Sequence, residues 1–361
     1  MKAAKKSKKP QERVSKWNPD RLRVLLDSFQ RKKILVLGDI GLDRYTIGSV
    51  ERISQEAPVP IVWVQQELFK LGLAANVADN IQALQGEALL IGVVGDDRTA
   101  EDFRDLLKKS HISDRNLVVD SSRRTVMKER IVSDRQQLLR VDYESPHRIS
   151  PAIEKTLLRE FSKQLRFVDV VVLEDYAKGM LSQSLIAEVF RLCVKAKKRI
   201  AVDPNSKTPL SWYQGAWLLT PNTREAQDMS GIRIFNEETL FEAASLILKK
   251  TGAEFLIITR GKEGMAIFSR GSRDVHLIPT YAQEVFDVSG AGDTVIAVLA
   301  LAMAAGATLE EAAVLGNLAA GVEVGKRGTA TVTSDEILNA MEKFPLSFRT
   351  VQAPVFMTKT P

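Results

Sequence analysis

Two glycines and a carboxylate, in Gly290-Ala291-Gly292-Asp293, stand directly before a stretch from Val295 to Ala305 that carries no charge. Such a stretch reads as a buried helix, because a surface helix would show a polar face. The first N–H groups of a helix lack internal partners, and its dipole places positive potential at that end. Glycine lets those groups approach an anion closely. A carboxylate beside a bound phosphate repels it, so Asp293 needs a task there. Taking the proton of an attacking hydroxyl is one, typically worth about 10²–10⁴ in rate. Asp is also a preferred helix cap, so the turn alone leaves catalysis and capping open.

Other stretches carry related chemistry. In TPNTRE, Asn222 and Glu225 stand at i, i+3 where a strand meets a helix. They could hold a hydrated Mg²⁺ through oxygen, and they equally suit a capping pair. In TRGKEGM, Thr259, Gly261 and Gly264 suit a turn under a nucleotide phosphate or ribose, or a plain hairpin. GKRGTATV (325–332) again joins glycines to cations, after a helix containing Asn317. The familiar phosphate cradles fail. Gly261-Lys262 precedes Glu263 and Gly325-Lys326 precedes Arg327, so there is no GxxxxGK[ST], and Val295 stands at the third glycine of GxGxxG. His111, His147 and His276 are scattered, which argues against zinc.

These residues need a scaffold. KKILVLGDI (32–40), ALLIGVVGD, VDVVVLEDY, RIAVDPN, AWLLTPN and EFLIITRG are short apolar runs, as in strands buried on both faces. Amphipathic segments at 98–110, 151–165, 181–197 and 237–252 alternate with them, predicting a three-layer α/β/α fold on a mostly parallel sheet. The runs end in Asp39, Asp96, Glu174-Asp175, Asp203-Pro204-Asn205, Asn222 and Thr259-Arg260. Ligands in open α/β sheets bind at the carboxyl ends of strands, so these residues should share one cleft. Residues 46–72 and 124–144 alternate apolar and polar positions without crossover helices. They read as a small β-sheet lid with one open face, suited also to a dimer interface.

With 361 residues, 45% hydrophobic and 27% charged, the composition is that of a soluble globular protein. No apolar run approaches the ~20 residues that span a bilayer. The N-terminus lacks the apolar core of a secretory signal, and the single Cys193 suits a reducing cytoplasm. The net charge of +6 is local: residues 1–16 hold seven Lys/Arg against one Glu, leaving 44 of each sign elsewhere. No nucleic-acid surface is expected on the body, and the Lys-rich start reads as a solubilising tail. The expected organisation is a tail and leading helix (1–30), one domain (31–345) and a C-terminal tail (346–361).

DVSGAGDT, TPNTRE and TRGKEGM together resemble the ribokinase-like carbohydrate kinase family across residues ~32 to ~342. GDIGLDRYTIG, RISQEAPVPI, LAANVADNI, DRQQLLRVDYE and EDYAKG are similar to the D-glycero-D-manno-heptose 7-phosphate kinases of lipopolysaccharide core synthesis. The resemblance implies a cytoplasmic kinase using ATP and Mg²⁺, with room for a monovalent cation, acting on the C1 hydroxyl of the heptose phosphate. It implies Asp293 as base and Gly290, Ala291 and Gly292 as anion hole. Asn222, Thr223, Arg224 and Glu225 would lie near the ATP phosphates and Mg²⁺. Thr259, Gly261, Gly264 and Asn317 would line the nucleotide pocket. Asp39, Asp43, Arg44, Gly72 and Asn76 would meet sugar hydroxyls, with Asp175 beside them. Lys128, Arg130, Arg140 and Lys178 would meet the 7-phosphate, where Arg offers a bidentate fork. Two positions depart from the pattern: Leu73 replaces the second glycine of a pair, and Asn205 stands where lysine is usual. A fused nucleotidyltransferase, present in some heptose kinases, is not expected in residues 346–361. Two rivals remain: the same fold acting on another sugar, sugar phosphate or nucleoside, and a sugar-phosphate or nucleotide sensor without turnover.

Overall fold

A computed structural model describes residues 13–353, apart from 134–135, 146, 283–284, 327 and 345. Its centre is an eleven-stranded sheet. Seven strands run parallel, in the order Phe255–Thr259, Leu218–Leu219, Arg199–Asp203, Val170–Glu174, Lys33–Gly38, Glu87–Val94 and Leu117–Val119. Their continuous Val/Ile/Leu runs are buried on both faces, because helices cover each side. The helices Arg98–Lys109, Pro151–Gln164, Gln183–Lys195 and Glu237–Thr251 fall on the amphipathic segments of the sequence. The helix Ala291–Ala304 is buried along nearly its whole length, as its uncharged sequence requires.

The sheet continues past Thr259 through antiparallel strands Met265–Ser269, Asp274–Ile278, Ser347–Gln352 and Arg13–Lys16. This corrects the expected C-terminal tail: residues 347–352 are a strand hydrogen-bonded on both sides, with Val351 buried. At the other terminus, Trp17 stacks on Phe348 at 4.6 Å before the leading helix Pro19–Asp27. Residues 1–12 lie outside the described residues, as does much of the Lys-rich segment.

A second sheet of four strands, Pro60–Leu73, Ile40–Ile53, Val126–Ser133 and Gln136–Tyr143, is the expected lid. Alternation along it gives two faces. Asp43, Tyr45, Lys70, Lys128 and Arg130 share one; Arg44, Thr46, Glu67, Phe69 and Glu129 share the other. Among the described residues, no helix is long and apolar enough to cross a membrane.

Candidate active site

The helix Ala291–Ala304 starts where the strands end. Gly290 precedes it at φ +95°, and a Cβ there would lie 2.9 Å from Asn76 Nδ2 and 3.2 Å from Glu323, so only glycine fits. Asp293 does not cap this helix. Its carboxylate, 5% exposed, accepts from Asn76 Nδ2 at 2.7 Å and from the Tyr176 hydroxyl. Asn76, on the helix Ala74–Ala83, is braced by Asn80, which also meets Thr294. Burial pushes the Asp293 carboxyl up to about 6, against the pull of its two donors. The Tyr176 phenol, buried beside that charge, is held well above its ordinary value and remains a donor.

On one side of Asp293 lies an apolar cleft. Thr259, Gly261, Gly264, Ala291, Gly292 and Asn317 line it, together with Met265, Val295 and Val324. Asn317 Nδ2 donates to the Pro279 carbonyl at 2.6 Å and so props one wall. Asn222 and Glu225 resolve as the capping box of the helix Thr223–Ser230, each side chain taking the other's N–H at 3.0 and 2.9 Å. Asn222 Oδ1 and one Glu225 oxygen are thus engaged in the cap, the second of the two roles open to the pair. Thr223 Oγ1 donates to the Thr259 carbonyl, joining two cleft segments, and Arg224 is exposed.

On the other side stands the cationic face of the lid. Arg130 donates to Asp43 Oδ1 at 2.6 Å, in a pair with 11% and 5% of the two side chains exposed. Gly72 backs Asp43 so closely that a Cβ would lie 3.0 Å from its Oδ2. The Lys128 ammonium sits 5.4 Å from the Tyr176 ring centre, and burial lowers its pKa. Lys70 Nζ donates to the Thr329 carbonyl at 2.6 Å while the Thr329 N–H donates to Tyr45, fastening the lid to the segment after Gly328. Leu73 holds φ +58°, a conformation suited to glycine, at the start of the helix that carries Asn76.

Five expected substrate contacts are differently employed. The Asp39 carboxylate accepts from the amides of Tyr176, Lys178 and Met180 at 3.0–3.3 Å, so it shapes the turn instead of facing a sugar. Asp175 accepts from Thr208 and Tyr213 at 2.7 Å and from the Ala177 amide. Arg44 lies on the opposite lid face, paired with Glu67 and Glu129. Arg140 pairs with Asp142 at 2.8 Å and stays half exposed. Lys178 Nζ meets Glu144 at 2.5 Å. In each case a nearby counter-charge or turn amide, invisible to motif reading, claims the group.

The sequence reading passed over three residues. Tyr176 was legible only as part of EDYAKG. Glu174 and Asp203 were visible only as strand ends, yet one oxygen from each and one from Asp293 lie within 4.8 Å of one another. Burial raises both Glu174 and Asp203, and repulsion adds to it, from Asp203 on Glu174 and from Glu225 on Asp203. Glu323, behind Gly290, is pushed up to about 8 by burial.

Residues 31–336 match the pfkB family carbohydrate kinase profile. The chain is 46% identical over 320 residues to the bifunctional protein HldE of a Caulobacter species, covering 88% of this chain and 64% of that protein. It is 44% identical over 307 residues to the HldE of Pelobacter propionicus, covering 85% and 62%. The chain thus spans less than two thirds of the length of these relatives. Among solved structures, Arabidopsis thaliana ribokinase complexed with ribose and ATP aligns with a TM-score of 0.67 at 19% identity, covering 87% of this chain and 99% of the other. Phosphofructokinase-2 from Escherichia coli, in complex with substrates and products, aligns with a TM-score of 0.69 at 19% identity, covering 87% and 99%. At that identity the likeness establishes the ribokinase-like fold.

Proposed function

Since the chain belongs to the pfkB family of carbohydrate kinases, and is thereby a phosphotransferase acting on a sugar hydroxyl, we propose that it phosphorylates C1 of D-glycero-D-manno-heptose 7-phosphate with ATP. The product would be the 1,7-bisphosphate, made in the cytoplasm for ADP-heptose and lipopolysaccharide core synthesis. One observation carries this reading: Asp293 stands at the junction between an apolar cleft and a lid face rich in half-buried cations.

Phosphoryl transfer asks mainly for positioning and charge neutralisation. Asp293 takes the proton of the C1 hydroxyl, whose oxygen attacks the γ-phosphorus while the bond to the β-phosphate oxygen breaks and ADP leaves. The amides that open the helix at Ala291 and Gly292 meet the migrating group. Asn76 and Tyr176 aim the base. The 7-phosphate would rest against Lys128 and Arg130, and the lid would keep water from competing as acceptor. The residues present fit Mg²⁺: Glu174 and Asp203, each with an oxygen within 4.8 Å of the other, offer the oxygen donors it prefers, Glu225 adds negative charge beside Asp203, and neither Glu174 oxygen has a hydrogen-bond partner among the described residues. When bound, the ion would neutralise charge on the phosphates.

The sugar is tested with ADP release over a panel of heptose 7-phosphate, ribose, fructose 1-phosphate and a nucleoside. Heptose 7-phosphate should lead in kcat/KM by at least about tenfold, and a lead by any other acceptor overturns the assignment. A homodimer through the lid is part of the same proposal. Trp63, 69% exposed, and Leu139, 54% exposed, offer apolar area on it. Light scattering should give twice the chain mass, and a Trp63→Asp, Leu139→Asp chain should run as a monomer.

A further inference from the structure

Leu73 joins the lid strand Pro60–Leu73 to the helix Ala74–Ala83, and its backbone is held at φ +58°, ψ −140°. A bulky side chain is disfavoured there because its Cβ crowds its own backbone, a cost that glycine would not carry. Gln85, His111 and Lys197 also have positive φ, but each stands just past the C-cap of a helix, where a left-handed residue closes the last turn. Leu73 instead precedes a helix, and as its N-cap it offers the first turn no side-chain acceptor. Two preferences therefore argue against leucine. Burial in a core would offset them. Leu73 is buried, at 6% exposed, and its neighbours Leu71, Ala74 and Ala75 belong to the main apolar core, yet Leu73 packs neither in that core nor in the one across the sheet.

Its position says where else the side chain can act. The residue before it, Gly72, backs Asp43, which holds Arg130. Three residues on, Asn76 donates to Asp293 at 2.7 Å. The Ala74 N–H donates to the Asp39 carbonyl at 3.0 Å and fixes the junction. Leu73 is thus flanked by the charged face of the lid and by the residue that aims the base. We propose that Leu73 is a specificity-determining residue. Its isobutyl group takes up room beside Asp43 and Asn76 on the acceptor side of Asp293, packs against the C–H face of a sugar that leaves that room free, and turns away sugars substituted there. This deepens the kinase reading and relies on it for the presence of a sugar acceptor.

The test compares Leu73→Gly and Leu73→Ala with the parent over heptose 7-phosphate, ribose, fructose 1-phosphate and a nucleoside, by ADP release and, for binding alone, by calorimetry. In both variants the spread in kcat/KM between the strongest and the weakest acceptor should narrow by about tenfold or more, since even one methylene in an apolar contact discriminates by about 10–200-fold. A leucine that merely held the fold would instead lower kcat/KM for every acceptor alike. Melting separates strain from bulk. Both variants lack the isobutyl group and only alanine keeps the strained backbone, so Leu73→Gly should melt above Leu73→Ala. An unchanged spread in a folded variant overturns the proposal. So does a glycine variant that melts no higher than the alanine one, because the leucine would then not be strained. The spread is read within each chain and does not depend on which acceptor leads, so the sugar assignment stands or falls on the parent's panel alone. Were no acceptor turned over, the calorimetric affinities would give the same spread.

Discussion

The two sides of Asp293 are built by opposite means. The cleft beneath Thr259, Gly261 and Gly264 is apolar and glycine-lined, leaving backbone N–H groups to meet an anion. The lid face holds full charges, already engaged: Arg130 with Asp43, Lys70 with Thr329, Lys128 over Tyr176. Backbone donors need no counter-charge while empty, whereas buried cations do. Nucleotide recognition should therefore resist side-chain substitution, and acceptor recognition should not.

The sharpest break in that contrast is Asp293→Asn. We expect kcat to fall about 10²–10⁴-fold with ATP affinity nearly unchanged; turnover within a few-fold of the parent would remove Asp293 as the base. Next comes Arg130→Ala, for which kcat/KM for a phosphorylated acceptor should drop about 100-fold while the KM for ATP moves less than twofold. It also orphans buried Asp43, costing about 3 kcal/mol in denaturant unfolding.

Tyr176→Phe should cost about tenfold in kcat, and its pH profile is more telling than its size. In the parent, kcat/KM should fall about tenfold per pH unit below about 6 as Asp293 takes a proton. The Tyr176 hydroxyl lowers that pKa, so its loss should move the acid limb to higher pH. The same shift bears on stability. Asp39 and Asp293 both titrate near 6 in the fold against an ordinary 3.8, so each favours folding fully below about 3.8 and loses that contribution as pH rises through 6. The smallest effect belongs to Asn222→Ala: about 1 kcal/mol of stability from the lost cap, with kcat within a few-fold. A large change in Mg²⁺ dependence would instead restore Asn222 as a ligand.

The glycine-lined cleft was legible because glycines and apolar runs declare backbone geometry locally. Gly290, Gly261 and Gly264 stand in the structure where the motifs put them, at positive φ. The alternating lid strands were legible for the same reason. The partners of the charged lid residues were not, because a charged side chain's role depends on which counter-charge reaches it first. Alternation puts Arg44 and Asp43 on opposite faces of one strand, but no motif says which face meets the base. Asp39 and Asp175 stand at strand ends, as ligand-binding residues do, and were claimed by turn amides and hydroxyls from distant segments. Residues 347–352 look like a tail, since SFRTVQ has little apolar content, and only the exposed edge offered by Asp274–Ile278 makes them a strand.

The hydrogen bonds that aim Asp293 reach 217 positions back to Asn76 and 117 back to Tyr176. Closing loops of that length is entropically slow, so native pairings of this kind tend to form late. A chain still emerging from synthesis can complete its early strands, but it cannot orient this carboxylate until residues near 293 have joined them.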